Sequence, residues 1–242
     1  IGLAAHVSRA ATDELFPRAP DMPMLYDYPL SGNCYKVRLL LSFLALDHEI
    51  RSVDFFPGRE HKSAQLLALN PHGQLPILRD GDLVLPDSAA ILVYLARRYD
   101  AGASWYPHED AVQLGMTSRW LAFADSITAT ASAARLHDML NYRLDVESAR
   151  AGAHALFRIM DDHLVEQRAR GCQWLVGRTP TIADVACFPY TALAGDGGID
   201  TARYDGIGMW MAAFKHLDGF VTMPGVHPHL PDTPQRRDVP AR

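Results

Sequence analysis

The apolar residues of this chain change their period near residue 100, and that change limits the fold more than any other feature. Before it, short runs of two kinds alternate. "MLYDY" (24–28) is strand-like and ends at Pro29 and a Ser-Gly-Asn turn. From Cys34, the residues Val37, Leu40, Leu41 and Leu44 recur at the spacing of one helix face. "EIRSVDF" (49–55) alternates β-branched and polar residues as a strand does. The helical stretch in "PGREHKSAQLLALNPHG" is stopped by Asn70-Pro71 and Gly73. "LPILRDGDLVLPDS" reads as a hairpin about Asp80-Gly81, and "DSAAILVYLARRY" (87–99) as a helix capped by Asp87 or Ser88. The order β-α-β-α-β-β-α describes a small α/β layered domain over 23–100. After a Gly/Ala/Pro-bearing linker at 101–108, only helical periodicity follows, over 109–222. "RWLAFADSITATASAARL", "ESARAGAHALFRIMDDHLVEQRARG" and "TIADVACFPYTALA" are three of its helices, an all-α bundle domain.

Bulk properties exclude several functions. The 242 residues are 48% apolar and 21% charged, an ordinary globular mixture with room for a real core. A net charge of −5 with interspersed signs argues against nucleic acid as a partner, since phosphate binding needs a concentrated basic face. No run of apolar residues approaches the roughly 20 of a membrane span. Residues 1–22 lack the apolar stretch of a signal peptide and are expected to be a disordered extension. The Pro- and charge-rich stretch 223–242 is expected to be a disordered tail. Cys34, Cys172 and Cys187, at unrelated spacings, form no disulfide framework and no metal site, which suits reduced thiols in the cytoplasm.

Three short stretches carry chemistry. Pro76, at the start of an apolar strand, removes a ladder donor. A cis Leu75–Pro76 bond would turn the Leu75 amide and carbonyl outward, where an extended peptide can pair with them. In "LVLPDSAA", a strand and a proline open a helix at Asp87-Ser88. The unpaired amides there, with the Ser88 hydroxyl, suit a carboxylate, and Asp87 suits an ammonium. Together they describe an α-amino acid terminus. "SGNC" (31–34) opens another helix, where a thiolate is stabilised by amides and the helix dipole. The sequence places no general-base histidine beside Ser31, so hydrolase chemistry gains no support. The box Thr181-x-x-Asp184 reads as a helix start worth about 1 kcal/mol.

Taken in order, "YPLSGNC", "EHKS…NPHGQLP", "LPDSAAILVYL" and "TIADV" resemble the glutathione transferase superfamily over residues 23–222. The likeness is to bacterial, serine-type theta-, zeta- or phi-like members, with a beta-like cysteine. It implies a thioredoxin-like N-terminal domain that binds glutathione as co-substrate, an all-α domain over the electrophile site, and a homodimer. By the same resemblance Pro76 is the cis-proline, and Leu75 pairs with the cysteinyl backbone of glutathione. Asp87 and Ser88 hold the γ-glutamyl end, although many members carry Glu at Asp87's place. Gln74 reaches the glutathione backbone, and His61 and Lys62 bind the glycyl carboxylate.

At the helix start the resemblance divides. Ser31 matches the serine whose hydroxyl stabilises the glutathione thiolate. "GNC" also matches the motif of enzymes whose cysteine, here Cys34, forms a mixed disulfide. Asn33, where many theta-type members have Pro, can donate to sulfur. Ser31 is favoured, and both assignments stand. The implied activity is attack of a stabilised thiolate on a hydrophobic electrophile, with Met116, Trp120 and Phe123 as candidate walls. The alternatives are a glutathione-dependent disulfide reductase through Cys34, a zeta-like isomerase, and a non-catalytic binding protein that kept the fold.

Overall fold

In the computed structural model of the protein, residues 22–227 are described, so all but the last residue of the expected extension and most of the expected tail lie outside them. The tail's first residues are not loose: Met223 bridges to Val226 and both are buried. Their apolar side chains outweigh the polar composition of the stretch that follows.

The first layer is a four-stranded mixed sheet. Strand β1 (Met24–Asp27) runs parallel to β2 (Glu49–Ser52) and antiparallel to β3 (Ile77–Asp80), which pairs with β4 (Leu83–Pro86), in the order β2-β1-β3-β4. The β3–β4 hairpin turns on Gly81, whose φ of +56° is the conformation a two-residue loop demands. Helix α1 (Gly32–Phe43) lies between β1 and β2 in sequence; α2 (Ala64–Leu69) follows a 3₁₀ turn at Glu60–Lys62. Helix α3 (Ser88–Tyr99) completes the layer. The sheet and helices have the thioredoxin-like arrangement expected above. Strand β2 stops at Ser52, shorter than the expected run to Phe55, because Phe55 leaves the sheet to stack on Tyr28 and His61.

Helix α1 begins two residues before Cys34. Ser31 is its N-cap, its Oγ accepting from the Cys34 amide at 3.2 Å. It is buried on more than one face, including Tyr35, Val37, Leu39, Leu40 and Leu41, because it is clamped between the α/β layer and the helices that follow. The Tyr35 hydroxyl donates to the Val221 carbonyl at 2.5 Å and the Ser42 hydroxyl to the Gly219 carbonyl at 2.7 Å.

The helical part opens with α4 (Ala111–Ile127), which runs through a π-helical turn at Thr128–Ser132 into α5 (Ala133–Leu140). Helices α6 (Val146–Ala169), α7 (Ile182–Ala192) and α8 (Asp205–Lys215) follow. The segment expected as a linker is pinned: Trp105 stacks on Phe43 at 4.9 Å and its carbonyl accepts from the Ile182 amide at 2.8 Å.

Helix α7 is the centre of this part, with almost every residue buried. Its capping box forms as the sequence predicts, but Asp184 does more than cap. Its carboxylate accepts from the Thr181 amide (2.9 Å), the Thr181 hydroxyl (3.3 Å), the Leu175 amide (3.0 Å) and the Trp210 indole (2.9 Å). Burial pushes its carboxyl up to about 6, against those four donors, so it is still ionised at neutral pH. Removing the carboxylate strands several buried donors at once, each worth roughly 1–3 kcal/mol. Asp184→Ala is therefore expected to lose about 3–5 kcal/mol in urea unfolding. A loss under about 1 kcal/mol, the value of an ordinary cap, would contradict this.

Candidate functional site

A cavity of about 650 Å³ opens between the two parts of the fold, a size ordinary for small-molecule sites. Two helix N-termini border it. Ser31 and Asn33 come from the start of α1, and Asp87 and Ser88 from the start of α3. Gln74, Leu75 and Pro76 border it between them, and the π turn with α5 forms the opposite wall.

The start of α1 is fixed by contact with α7. A Cβ on Gly32 would lie 2.6 Å from the Tyr190 ring, so only glycine allows this approach. Ser31 Oγ accepts from the Cys34 amide, which leaves its O–H to donate, either to the Cys34 sulfur beside it or to a ligand in the cavity. Asn33 has a buried Oδ1 with no hydrogen-bond partner. The Asp87 carboxylate accepts from the Ala90 amide at 2.9 Å through one oxygen. Its φ of +80° is rare for a residue with a side chain, a strain worth roughly 1–3 kcal/mol that turns this corner toward the cavity. Leu75–Pro76 is cis, and both residues border the cavity.

Several candidates lie elsewhere. Cys34 is fully buried and does not border the cavity. Burial and then the Asp27 charge push its thiol up to about 12, only partly opposed by hydrogen bonds to Ser31 and Tyr28. Trp120 is fully buried, its ring 4.8 Å from both Phe123 and His163, and neither Trp120, Phe123 nor Met116 reaches the cavity. These three pack against the core from α4, whereas the lining on this side comes from Asp125 at the end of α4, the π turn and α5. His61 is buried under Phe55, ring centroids 3.9 Å apart, and burial lowers its pKa, leaving it neutral. Lys62 is exposed and donates to the His72 carbonyl at 2.9 Å. It braces the loop whose His72 does border the cavity.

Other lining residues escaped the sequence reading. Tyr28 and Phe55 stack at 5.3 Å, and Tyr190, Asp125 and Arg135 arrive from the helical part. Asn70 forms the loop under them, its Nδ2 donating to the Gln74 carbonyl and its Oδ1 accepting from the His72 amide. The quoted "NPHG" held the signal for Asn70 and His72. Tyr28 opens the quoted "YPLSGNC", its carbonyl accepting from the Ser31 amide at 2.9 Å, whereas nothing local marks the other four, which meet the site only through tertiary contacts. Beneath the cavity, buried Lys36 donates to the Thr128 hydroxyl at 3.3 Å. Burial lowers it to about 8, against the attraction of Cys187, Asp125 and Asp87. Burial raises the Asp125 carboxyl, Lys36 opposing that and Asp87 adding to it. The cavity thus has an acidic end at Asp87 and Asp125 and a cation, Arg135, on another wall. Among the described residues no cluster could hold a metal, and no helix is long and apolar enough to cross a membrane.

Comparison with known proteins agrees with this geometry. A family profile described as "Glutathione S-transferase, N-terminal domain" matches residues 25–103. The chain is similar to Glutathione S-transferase F13 of Arabidopsis thaliana, 31% identical over 173 residues, covering 69% of this chain and 78% of that protein. It is also similar to Glutathione S-transferase theta-2 of Homo sapiens, 46% identical over 61 residues, which span 25% of each chain. Among solved structures, a glutathione S-transferase from Pseudomonas fluorescens matches with a TM-score of 0.73 and 30% identity, over 84% of this chain and 98% of that one. A structure of Ure2p in complex with glutathione shares the fold, with a TM-score of 0.74 and 24% identity, over 83% and 97%.

Thiol exposure checks the placement of the cysteines. All three are unpaired, Cys172 partly exposed, Cys34 and Cys187 buried with raised pKa values. A disulfide reagent at pH 8 should titrate one thiol rapidly in the native protein and three in denaturant, with Cys172→Ser abolishing the rapid one. Rapid native labelling of Cys34 would contradict its placement.

Proposed function

The chain belongs to the glutathione S-transferase family, and from that premise we propose that it binds glutathione in this cavity and conjugates its sulfur to an apolar electrophile. One observation carries the proposal: Ser31, the N-cap of α1, shares a cavity with the second helix N-terminus at Asp87 and Ser88.

The γ-glutamyl carboxylate sits on the amides and hydroxyl at Ser88, and its ammonium lies between Asp87 and Asp125. Leu75 takes the cysteinyl backbone, with Gln74 beside it. The glycyl carboxylate reaches the loop of His72 and Lys62 rather than buried His61. This leaves the sulfur at the start of α1. A free thiol with pKa near 8.5 is only a few per cent ionised at neutral pH. The Ser31 hydroxyl, the α1 dipole and a donor from Asn33 together favour the anion by roughly 2–4 kcal/mol, about two units of pKa. The thiolate then attacks an electrophile held against the π turn and α5.

The burial of Cys34 argues against the disulfide-reductase alternative, because a thiol raised to about 12 is a poor source of thiolate. The isomerase and the non-catalytic protein would use the same glutathione seat. Ile50 and Phe56, large apolar side chains exposed on and after edge strand β2, are surface that a second copy can cover in a homodimer. We place the reaction in the cytoplasm, where glutathione is kept reduced.

The test is steady-state conjugation of 1-chloro-2,4-dinitrobenzene with the pH dependence of kcat/KM for the electrophile at saturating glutathione. Ser31→Ala should lose about tenfold to a hundredfold in kcat/KM at pH 6.5, and its limb should move up by about one to two units, matching one charge-assisted hydrogen bond. Cys34→Ala should keep activity and profile. The opposite pattern would overturn the assignment, and glutathione binding with no conjugation of any electrophile would favour the binding protein.

A further inference from the structure

The wall of the cavity formed by the π turn and α5 is mostly apolar, with the hydroxyls of Thr128 and Ser132 and one charged residue. Leu30, Ala129, Ala133, Leu136 and Met139 border it, and Arg135 stands among them. Arg135 is 7% exposed. Its Nε donates to Asp196 Oδ2 at 2.9 Å and its Nη1 to the Leu30 carbonyl at 2.8 Å. Those two contacts lock the guanidinium plane. Nη2 takes part in neither, and the residue borders the cavity. Its charge reaches the reacting corner: it pulls down the pKa values of Tyr28 and Tyr190, which flank Ser31 and Asn33, although burial raises both.

Asp196 does not cancel this charge within the cavity. It holds the Nε edge and is itself part-exposed, so water screens it more than it screens the guanidinium. The other carboxylates on the cavity, Asp87 and Asp125, act on each other at the α3 end, where the glutathione ammonium is placed. A neutral apolar ligand packed over Arg135 would strip water from its remaining donors without replacing it, which weakens binding. A ligand carboxylate would satisfy them with charge-assisted hydrogen bonds.

We propose that Arg135 makes this protein selective for electrophiles whose apolar body carries a carboxylate. The proposal rests on the transferase reading and deepens it by naming the class of the second substrate. It separates Arg135 from the alternative use of the same charge, binding the glycyl carboxylate of glutathione.

The probes are 4-chloro-3,5-dinitrobenzoate and its methyl ester. In both, the thiolate sulfur forms a bond to the ring carbon bearing chlorine, chloride leaves with the C–Cl pair, and the thiol proton passes to buffer. Each enzymatic kcat/KM is divided by that compound's uncatalysed rate constant with glutathione. The wild type should prefer the acid by about tenfold or more, a charge-assisted pairing. Raising salt from about 50 to 500 mM should raise KM for the acid alone. In Arg135→Gln the preference should collapse towards one, mainly through KM for the acid, with KM for glutathione unchanged. The salt arm needs no variant, so a poorly folding Arg135→Gln leaves the test standing. Equal normalised constants in the wild type, or a rise in KM for glutathione rather than for the acid, would overturn the proposal. No turnover of either compound, together with no thermal shift on adding glutathione, would instead overturn the transferase reading, and this inference with it.

Discussion

The contact between Gly32 and the ring of Tyr190 sets the geometry on which the rest of the site depends. A side chain at residue 32 would need space that the ring already fills, 2.6 Å from its Cβ. The first turn of α1 is therefore pressed against α7, which fixes Ser31 and Asn33 over the cavity. Helix α7 can serve as that surface because Asp184 ties its own start to Leu175 and to Trp210 of α8. Further along α1, the contacts of Tyr35 with Val221 and of Ser42 with Gly219 close the same seam. The position of one hydroxyl is thus held by packing that runs through both parts of the fold.

This seam also orders the charges. Two helix N-termini converge on one cavity, an arrangement that favours anions at two separated points. The acids lie at the α3 end and the guanidinium lies on α5, so a ligand is oriented by charge before its apolar parts are packed. Lys36, buried below, faces Thr128 of the π turn, where the lining wall departs from regular helix. Such turns are common at functional sites because they redirect side chains without ending the helix.

What the sequence made legible was local. The hairpin at Gly81, the helix opening within "SGNC", the cap at Asp87 and the Thr181–Asp184 box are short-range devices, and each forms where its residues stand. The choice between Ser31 and Cys34 needed one more fact, the residue on which α1 begins. With Ser31 as the cap, Cys34 falls in the first turn on a face turned into the core. Met116, Trp120 and Phe123 were misplaced because an apolar run on a helix with two buried faces does not say which face meets a ligand. Asp125, Arg135 and Tyr190 lie far along the chain from Ser31, and only tertiary packing brings them to it. His61 reads as polar, yet its stacking on Phe55 buries it.

The account comes down to which protein group meets the sulfur of glutathione. A crystal structure of the protein soaked with glutathione answers this directly. The sulfur should lie within hydrogen-bond distance of Ser31 Oγ, with the γ-glutamyl carboxylate at the Ser88 amide. A sulfur bonded to Cys34, or a glutathione seated away from the α1 N-terminus, would contradict it.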